Sequence, residues 1–295
     1  MSWLDRVGGG TGDVVSYKLL STFVFEGEQI PLIDRQRGIR RVRSLSGAFS
    51  IRTTYTPPSR VAPYDDVEGV DGLLRYKYQG TNPDSPDNVA LRKAFELQLP
   101  LIWFVGIKSG LYQPVYPIWI VADEPQNLQV VVALDESQRL LQLGNVSEEQ
   151  RRYAESVTKV RLHQRIFRAK VLVAYKERCA MCGLLYRPLL DAAHILPDSH
   201  PQGKPIVTNG LSLCKIHHAA YDLNYIGVRP DLVAVVRSDV MNTKDGPMLT
   251  YGLQAMNERQ LIVPAKKSEI PDRNALEERF EEFKDIEKMS TSKDE

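Results

Sequence analysis

The spacing of hydrophobic and polar positions changes character midway along the chain. Residues 14–33 (VVSYKLLSTFVFEGEQIPLI) and 47–55 (GAFSIRTTY) are rich in Val, Phe, Ile, Thr and Tyr, the make-up of half-buried strands. A stretch crowded with Pro, Gly and Asp follows from Thr56 to Gly72. Leu73–Tyr78 then reads as extended, Asn88–Leu97 as a short helix, and LIWFVGI, WIVA (119–122) and LQVVVAL (128–134) as further strands. This half predicts a strand-dominated barrel with a helix packed on it.

From Ser147 the period becomes helical. Val160, Leu162, Ile166, Phe167, Val171 and Val173 recur near helical spacing in a run that holds no Pro or Gly up to Arg178. Beyond it come a cysteine- and histidine-bearing window, the strand-like LVAVV, and a charged helix from Asn274 to Lys288 ahead of a tail expected to fray. The pattern predicts an α+β chain in three parts: a β-rich domain over 1–146, a linking helix over 147–178, and a second domain over 179–295.

With 295 residues, 43% hydrophobic and 25% charged, the chain is long enough for two cores. No run approaches 18 apolar residues, and the start lacks the basic-then-apolar layout of a secretory signal. The expectation is a cytoplasmic protein with no membrane partner. A net charge of +1 decides nothing about nucleic acid, but its distribution is uneven. Seven arginines and no acidic residue lie between Arg35 and Arg60, and nine Lys/Arg stand against only Glu155 and Glu177 between Arg151 and Arg178. Such segments either track phosphates or form solvated faces.

The three cysteines, Cys179, Cys182 and Cys214, fall within one 36-residue window. An odd number so confined fits a metal site in a reducing compartment better than a disulfide framework. Cys179-x-x-Cys182 and Cys214-x-x-His217 are two ligand pairs 31 residues apart, and each two-residue gap lets one turn present both side chains to one ion. Together they predict a structural zinc site. His218, next to the last ligand, points about 100° away from it on a helix and is left for a second task. Asp222 lies four residues on and shares its face, an arrangement that chelates a hard divalent ion.

LLDAAHILP precedes NGLSLCKIHHAAYD, so that His194, Asn209 and His218 follow one another with 14 and 8 residues between them. From Arg161 to about Val236 the chain resembles the HNH, or ββα-metal, nuclease family in its restriction-type branch. The resemblance implies that His194 is the general base, that Asn209 holds the loop orienting it, and that His218 binds Mg²⁺ or Mn²⁺. Many members carry a metal ligand immediately before the base, where this chain has Ala193. Asp222 is the first candidate for the remaining ligand and Asp191 the second, because Asp191 shares strand parity with position 193. The other reading of Asp191 is a carboxylate that faces solvent or supports a ligand. His163 and His200 read as helix-surface and loop residues without a role.

In the first half, GIRRVRSLSGAFSI, the YDD at Tyr64–Asp66, GLLRYKYQG and DNVAL stand in the order found in the SRA (SET and RING-associated) domain, a reader of modified cytosine. The resemblance covers about Gly38–Leu91. It lacks the family's SGGY, has a longer segment before YDD, and carries Tyr78-Gln79-Gly80 for YTG. It implies an SRA-like barrel that holds a flipped 5-methyl- or 5-hydroxymethylcytosine, with Tyr64 and Tyr78 stacking on the base. Asp66, or its neighbour Asp65, would accept from the exocyclic amine, while Arg40, Arg41 and Arg43 would grip phosphates. Read from residues alone, YDD is a turn and the tyrosines are core in preference to a pocket, because Pro, Asp and Gly crowd the segment.

The expected function is modification-dependent restriction of double-stranded DNA, with a homodimer expected because one HNH site attacks one strand and a double-strand break takes two protomers or two events. Two other classes remain at this stage: a nuclease switched on by a small signalling molecule, and a zinc-containing DNA-binding protein without catalysis.

Overall fold

The run LIWF owes its unbroken hydrophobicity to a strand with a core on each side. In the computed structural model, which describes residues 1–7, 13–42, 44–57, 73–143 and 148–291, these residues belong to the strand Leu101–Lys108. Leu101 and Trp103 face one hydrophobic cluster, and Ile102 and Phe104 face another, as the two-residue period of a strand requires. The chain divides into two compact units, Met1–Ile166 and Phe167–Glu295.

The first unit is built on a seven-stranded sheet. Its strands are β1 (Val15–Ser16), β2 (Ile39–Arg41), β3 (Ala48–Thr53), β4 (Leu74–Lys77), β5 (Leu101–Lys108), β6 (Leu111–Glu124) and β7 (Gln129–Ala133). The order is β2-β3-β5-β6-β7-β4, with β1 also on β6. Only β3 and β5 run parallel among these pairs. The long β6 pairs with β5 along its first half and with β7 along its second. Register shifts at Leu101/Trp103, Gly106/Lys108 and Ile120/Ala122 bend it between the two partners, as bulges do. The result is a curled sheet. Across its seam the Tyr76 hydroxyl lies 3.0 Å from the Gly38 carbonyl and 3.1 Å from that of Arg52, and the Gly38 N–H donates to Gln79 Oε1 at 3.1 Å.

Helix α1 (Pro86–Glu96) starts on Ser85, whose side chain accepts from the Asn88 N–H, with proline in the first turn. It buries Leu91 and Ala94 in the core of Ile51, Trp103, Ile118 and Val132, a side chain the size of Leu91 contributing roughly 1.5–3 kcal/mol. Residues 14–33 correct the strand expectation. Ser16 caps a helical turn at Tyr17–Leu20, and only short strands, Val24–Phe25 and Glu28–Gln29, follow. Leu20, Leu32 and Ile33 bury themselves in the second cluster, so the apolar pattern marked burial rather than extended backbone.

Helix α2 (Glu148–Ala174) ends four residues before the expected Arg178, and Lys176 and Glu177 take positive φ just beyond it. In the second unit its last turns place Phe167, Val171 and Leu172 in a core with the antiparallel hairpin β8 (Leu190–His194) and β9 (Gly210–Cys214). Helix α3 (Lys215–Asp222) follows β9 directly. A three-stranded sheet, β10 (Ile226–Val228), β11 (Val233–Val236) and β12 (Arg259–Gln260), and helix α4 (Arg273–Thr291) complete the unit. Among the described residues no helix is long and apolar enough to cross a membrane.

Candidate active site and metal centre

Cys179 and Cys182 sit on a tight turn: the Gly183 N–H donates to the Cys179 carbonyl at 3.0 Å, and Gly183 takes φ +80°, which favours glycine. Cys214 ends β9 and caps α3, so His217 falls in the first turn of that helix. The four ligand atoms of Cys179, Cys182, Cys214 and His217 lie within 4.8 Å of one another. His217 Nδ1 is 3.5 Å from the Cys179 sulfur and 3.2 Å from that of Cys214. Tetrahedral zinc, with bonds of about 2.3 Å to sulfur and 2.0 Å to nitrogen, would set such atoms about 3.5 Å apart. The other nitrogen, Nε2, is 2.7 Å from the Gly252 carbonyl, which fixes the proton there and presents Nδ1 to an ion. The donor set and its spacing fit zinc.

One residue on, His218 turns to the opposite task. Its Nε2 lies 3.2 Å from Asp222 Oδ2 and its Nδ1 3.8 Å from Asp191 Oδ2. Asp191 and Asp222 push the imidazole up to about 9. Asp191 is itself crowded by cations: Lys215 Nζ stands 2.7 Å from Oδ2 and Arg168 Nε 3.3 Å from Oδ1. Burial raises its carboxyl, but the bonds from His218 and Lys215 prevail and hold it well below the usual range. Thus Asp222 and Asp191 flank different ring nitrogens of one histidine. Asp222 can share a divalent ion with Nε2, while Asp191 faces the nitrogen that such an ion would leave protonated.

His194 ends β8 opposite Gly210. A Cβ at Gly210 would come within 2.6 Å of Val171 and 2.8 Å of Phe167, so glycine admits α2 close against the hairpin. There the Phe167 ring stacks on His194 with centroids 4.1 Å apart and planes 16° from parallel. Burial, reinforced by the His218 charge, depresses the His194 imidazole despite the opposing carboxylates of Asp198 and Asp222. Asn209 is buried and clamps the loop after His194. It accepts from the Leu196 N–H at 2.9 Å and donates to the carbonyls of Leu196 and Lys204 at 2.9 and 3.1 Å. His200 does lie in this loop, its Nε2 3.1 Å from Glu278 of α4.

Four neighbours of this site escaped the sequence reading: Phe167, Arg168, Asp198 and Lys215. Phe167 was visible as an apolar helix position, but nothing in its spacing pairs it with His194. The others are common residue types whose place depends on tertiary packing.

In the first unit Tyr64, Asp65, Asp66 and Arg43 lie outside the described residues. Tyr78 corrects its expected role. It is 1% exposed in the core, and its hydroxyl donates to the Asp123 carboxylate, so the ring has no free face for a base. Arg40 and Arg41 line a cleft of about 330 Å³ together with Arg37, Asp34 and Asp87. Arg41 Nε and Arg37 Nη1 reach the same Asp87 oxygen at 2.9 and 3.4 Å, while Arg40 Nε donates to the Pro31 carbonyl at 3.0 Å.

The HNH endonuclease family model matches residues 179–229, the segment from the first zinc-type cysteine through α3. The chain carries an HNH endonuclease domain. It is a DNA-cleaving enzyme, which removes the non-catalytic reading. Among solved structures, the "Modification dependent TagI restriction endonuclease" is similar at 18% identity over 84% of this chain and 85% of that one, with a TM-score of 0.29. The "Type IV phosphorothioation-dependent restriction endonuclease ScoMcrA" is similar at 14% identity over 62% of this chain and 51% of that one, with a TM-score of 0.22. No curated protein matches the chain. The placement of the catalytic domain rests on the matched segment.

Proposed function

We propose that the chain is a modification-dependent restriction endonuclease, in which the HNH domain cuts double-stranded DNA bearing 5-methyl- or 5-hydroxymethylcytosine that the first unit reads. The observation that carries the catalytic part is the meeting of His194, at a strand end clamped by Asn209, with a helix face bearing His218 and Asp222. The Cys179–Cys182–Cys214–His217 cluster would hold structural Zn²⁺, and His218 with Asp222 would hold Mg²⁺ or Mn²⁺. Bound there, such an ion would neutralise charge on the scissile phosphate. His194, neutral because burial lowers its affinity for protons, takes the proton of the attacking water. Asn209 keeps the ring aimed by fixing the loop on its far side.

The modified-base part is supported by the order of GIRR, GAFSI, YDD, YQG and NVAL in the sequence, with Tyr64, Asp65 and Asp66 as the remaining pocket residues. Arg40 and Arg41, with Arg43, would meet the DNA backbone. Two protomers would supply the two cuts of a double-strand break, and defence against foreign DNA in the cytoplasm is the role that follows. The arginine-lined cleft favours one alternative, a nuclease that waits for a small anionic signal, since its volume suits a small ligand.

Three DNAs of one sequence, bearing cytosine, 5-methylcytosine or 5-hydroxymethylcytosine, separate the two when incubated with protein and Mn²⁺. Cleavage confined to modified DNA is expected. Equal cleavage of all three would remove the reader and leave the nuclease.

A further inference from the structure

The His194 ring has one nitrogen without a hydrogen bond in a buried place. Nε2 makes no aligned bond, yet Asp198 Oδ1 lies 3.1 Å from it. Among the described residues this is the only carboxylate within ion-pair distance of His194. The ring cannot readily turn away, because Phe167 stacks on one face and the backbone on either side is fixed by the β9 ladder and by Asn209. Asp198 is half exposed on the loop, which leaves its side chain room to turn instead.

We propose that Asp198 is the positioning residue of the general base: its carboxylate accepts the Nε2–H of His194 and so leaves Nδ1 as the proton acceptor. This rests on His194 being the base. During attack the water oxygen bonds to phosphorus as the bond to the leaving oxygen breaks and its electron pair departs with that oxygen. The water proton goes to Nδ1, and Asp198 meets the charge of the imidazolium that forms, the division of labour of a carboxylate–histidine pair. Without it a neutral imidazole would be free to place its single proton on Nδ1 and present the wrong nitrogen.

The test that needs no substrate is ¹⁵N NMR of the histidine rings in the full zinc-loaded chain, with His194→Ala to assign the signal. Wild type should show the Nε2–H tautomer, and Asp198→Asn should lower the His194 pKa, with Asp198→Glu restoring it. An Nδ1–H tautomer, or a titration that Asp198→Asn leaves unmoved, overturns the proposal. On DNA that the wild type cuts, Asp198→Asn should reduce the single-turnover rate about tenfold to a hundredfold and move the acid limb of the pH profile down, with the KM for DNA unchanged. A rate loss with an unmoved limb indicates a structural effect and also overturns it. An active His194→Ala protein would instead sink the base reading beneath it, whereas an inactive His194→Ala beside a fully active Asp198→Asn sinks the proposal alone.

Discussion

The two units treat their charged side chains in opposite ways. In the cleft of the first unit Asp34 and Asp87 are answered on the spot, and Asp87 has two guanidiniums on a single oxygen. At the nuclease site the answers are incomplete: His218 stands between two carboxylates, and the buried Nε2 of His194 has an acceptor nearby but no aligned bond. Matched pairs hold a scaffold in place, whereas a cluster whose charge is only provisionally balanced is ready to take up an ion or a proton. The contrast agrees with the placement of the HNH match in the second unit.

The sharpest way to break that contrast is to remove the zinc-type cluster. Structural zinc sites contribute apparent binding energies of about 10–16 kcal/mol that double as folding energy. Cys214→Ala, or prolonged chelation, should unfold Phe167–Glu295 while Met1–Ile166, which has two hydrophobic clusters of its own, keeps its structure. Hydrogen exchange should show protection lost beyond residue 167 and kept in β5 and β6. Equal loss in both units would mean that the first cannot stand without the second.

His194→Ala comes next. General-base removal should reduce cleavage about 10²- to 10⁴-fold without changing DNA affinity. The pH profile carries the same residue's signature. A base must be unprotonated, so the rate rises with pH through its pKa and then levels. Burial depresses that pKa below the ordinary histidine value, which puts the acid limb below about pH 6.5. A limb centred well above it would identify some other group.

How much of this was legible beforehand depends on the rarity of the residues. Three cysteines and five histidines in 295 positions leave few ways to build a site, so the spacing of Cys179, Cys182, Cys214 and His217 pointed to the four residues that the fold gathers within 4.8 Å. Asp198 and Lys215 are common types that gain meaning only when a loop or a helix start brings them to His194 and Asp191. The strands around LIWFVGI were visible for a similar reason, since two buried faces leave an unbroken apolar run. Residues 14–33 were not, because burial in a cluster gives the same composition whether the backbone is extended or turns at a Ser16 cap. Tyr78 was misplaced by motif order, which is blind to whether a ring faces a pocket or the core.

A smaller effect separates the two carboxylates on His218. If Asp222 shares the ion, Asp222→Asn should raise the Mn²⁺ concentration for half-maximal cleavage about 10- to 100-fold, while Asp191→Asn, which loosens the hold on Nδ1 together with the pairs to Lys215 and Arg168, should lower the rate at saturating metal more than it shifts that concentration. Titrating metal into both variants decides the matter. The opposite pattern would exchange the two roles and make Asp191 the ligand, with Lys215 displaced from it on binding.

The smallest change returns to the first unit. Tyr78→Phe keeps the ring and deletes the hydroxyl that donates to Asp123, leaving a half-buried carboxylate short of a partner. That should lower stability by about 1–3 kcal/mol and leave the affinity for modified DNA where it was, because a side chain 1% exposed touches no ligand. Thermal unfolding and a binding titration on the same preparation suffice. A loss of affinity with stability intact would mean that the core opens to admit a base, and the contrast between a matched, closed first unit and a poised second one would fail at its most buried tyrosine.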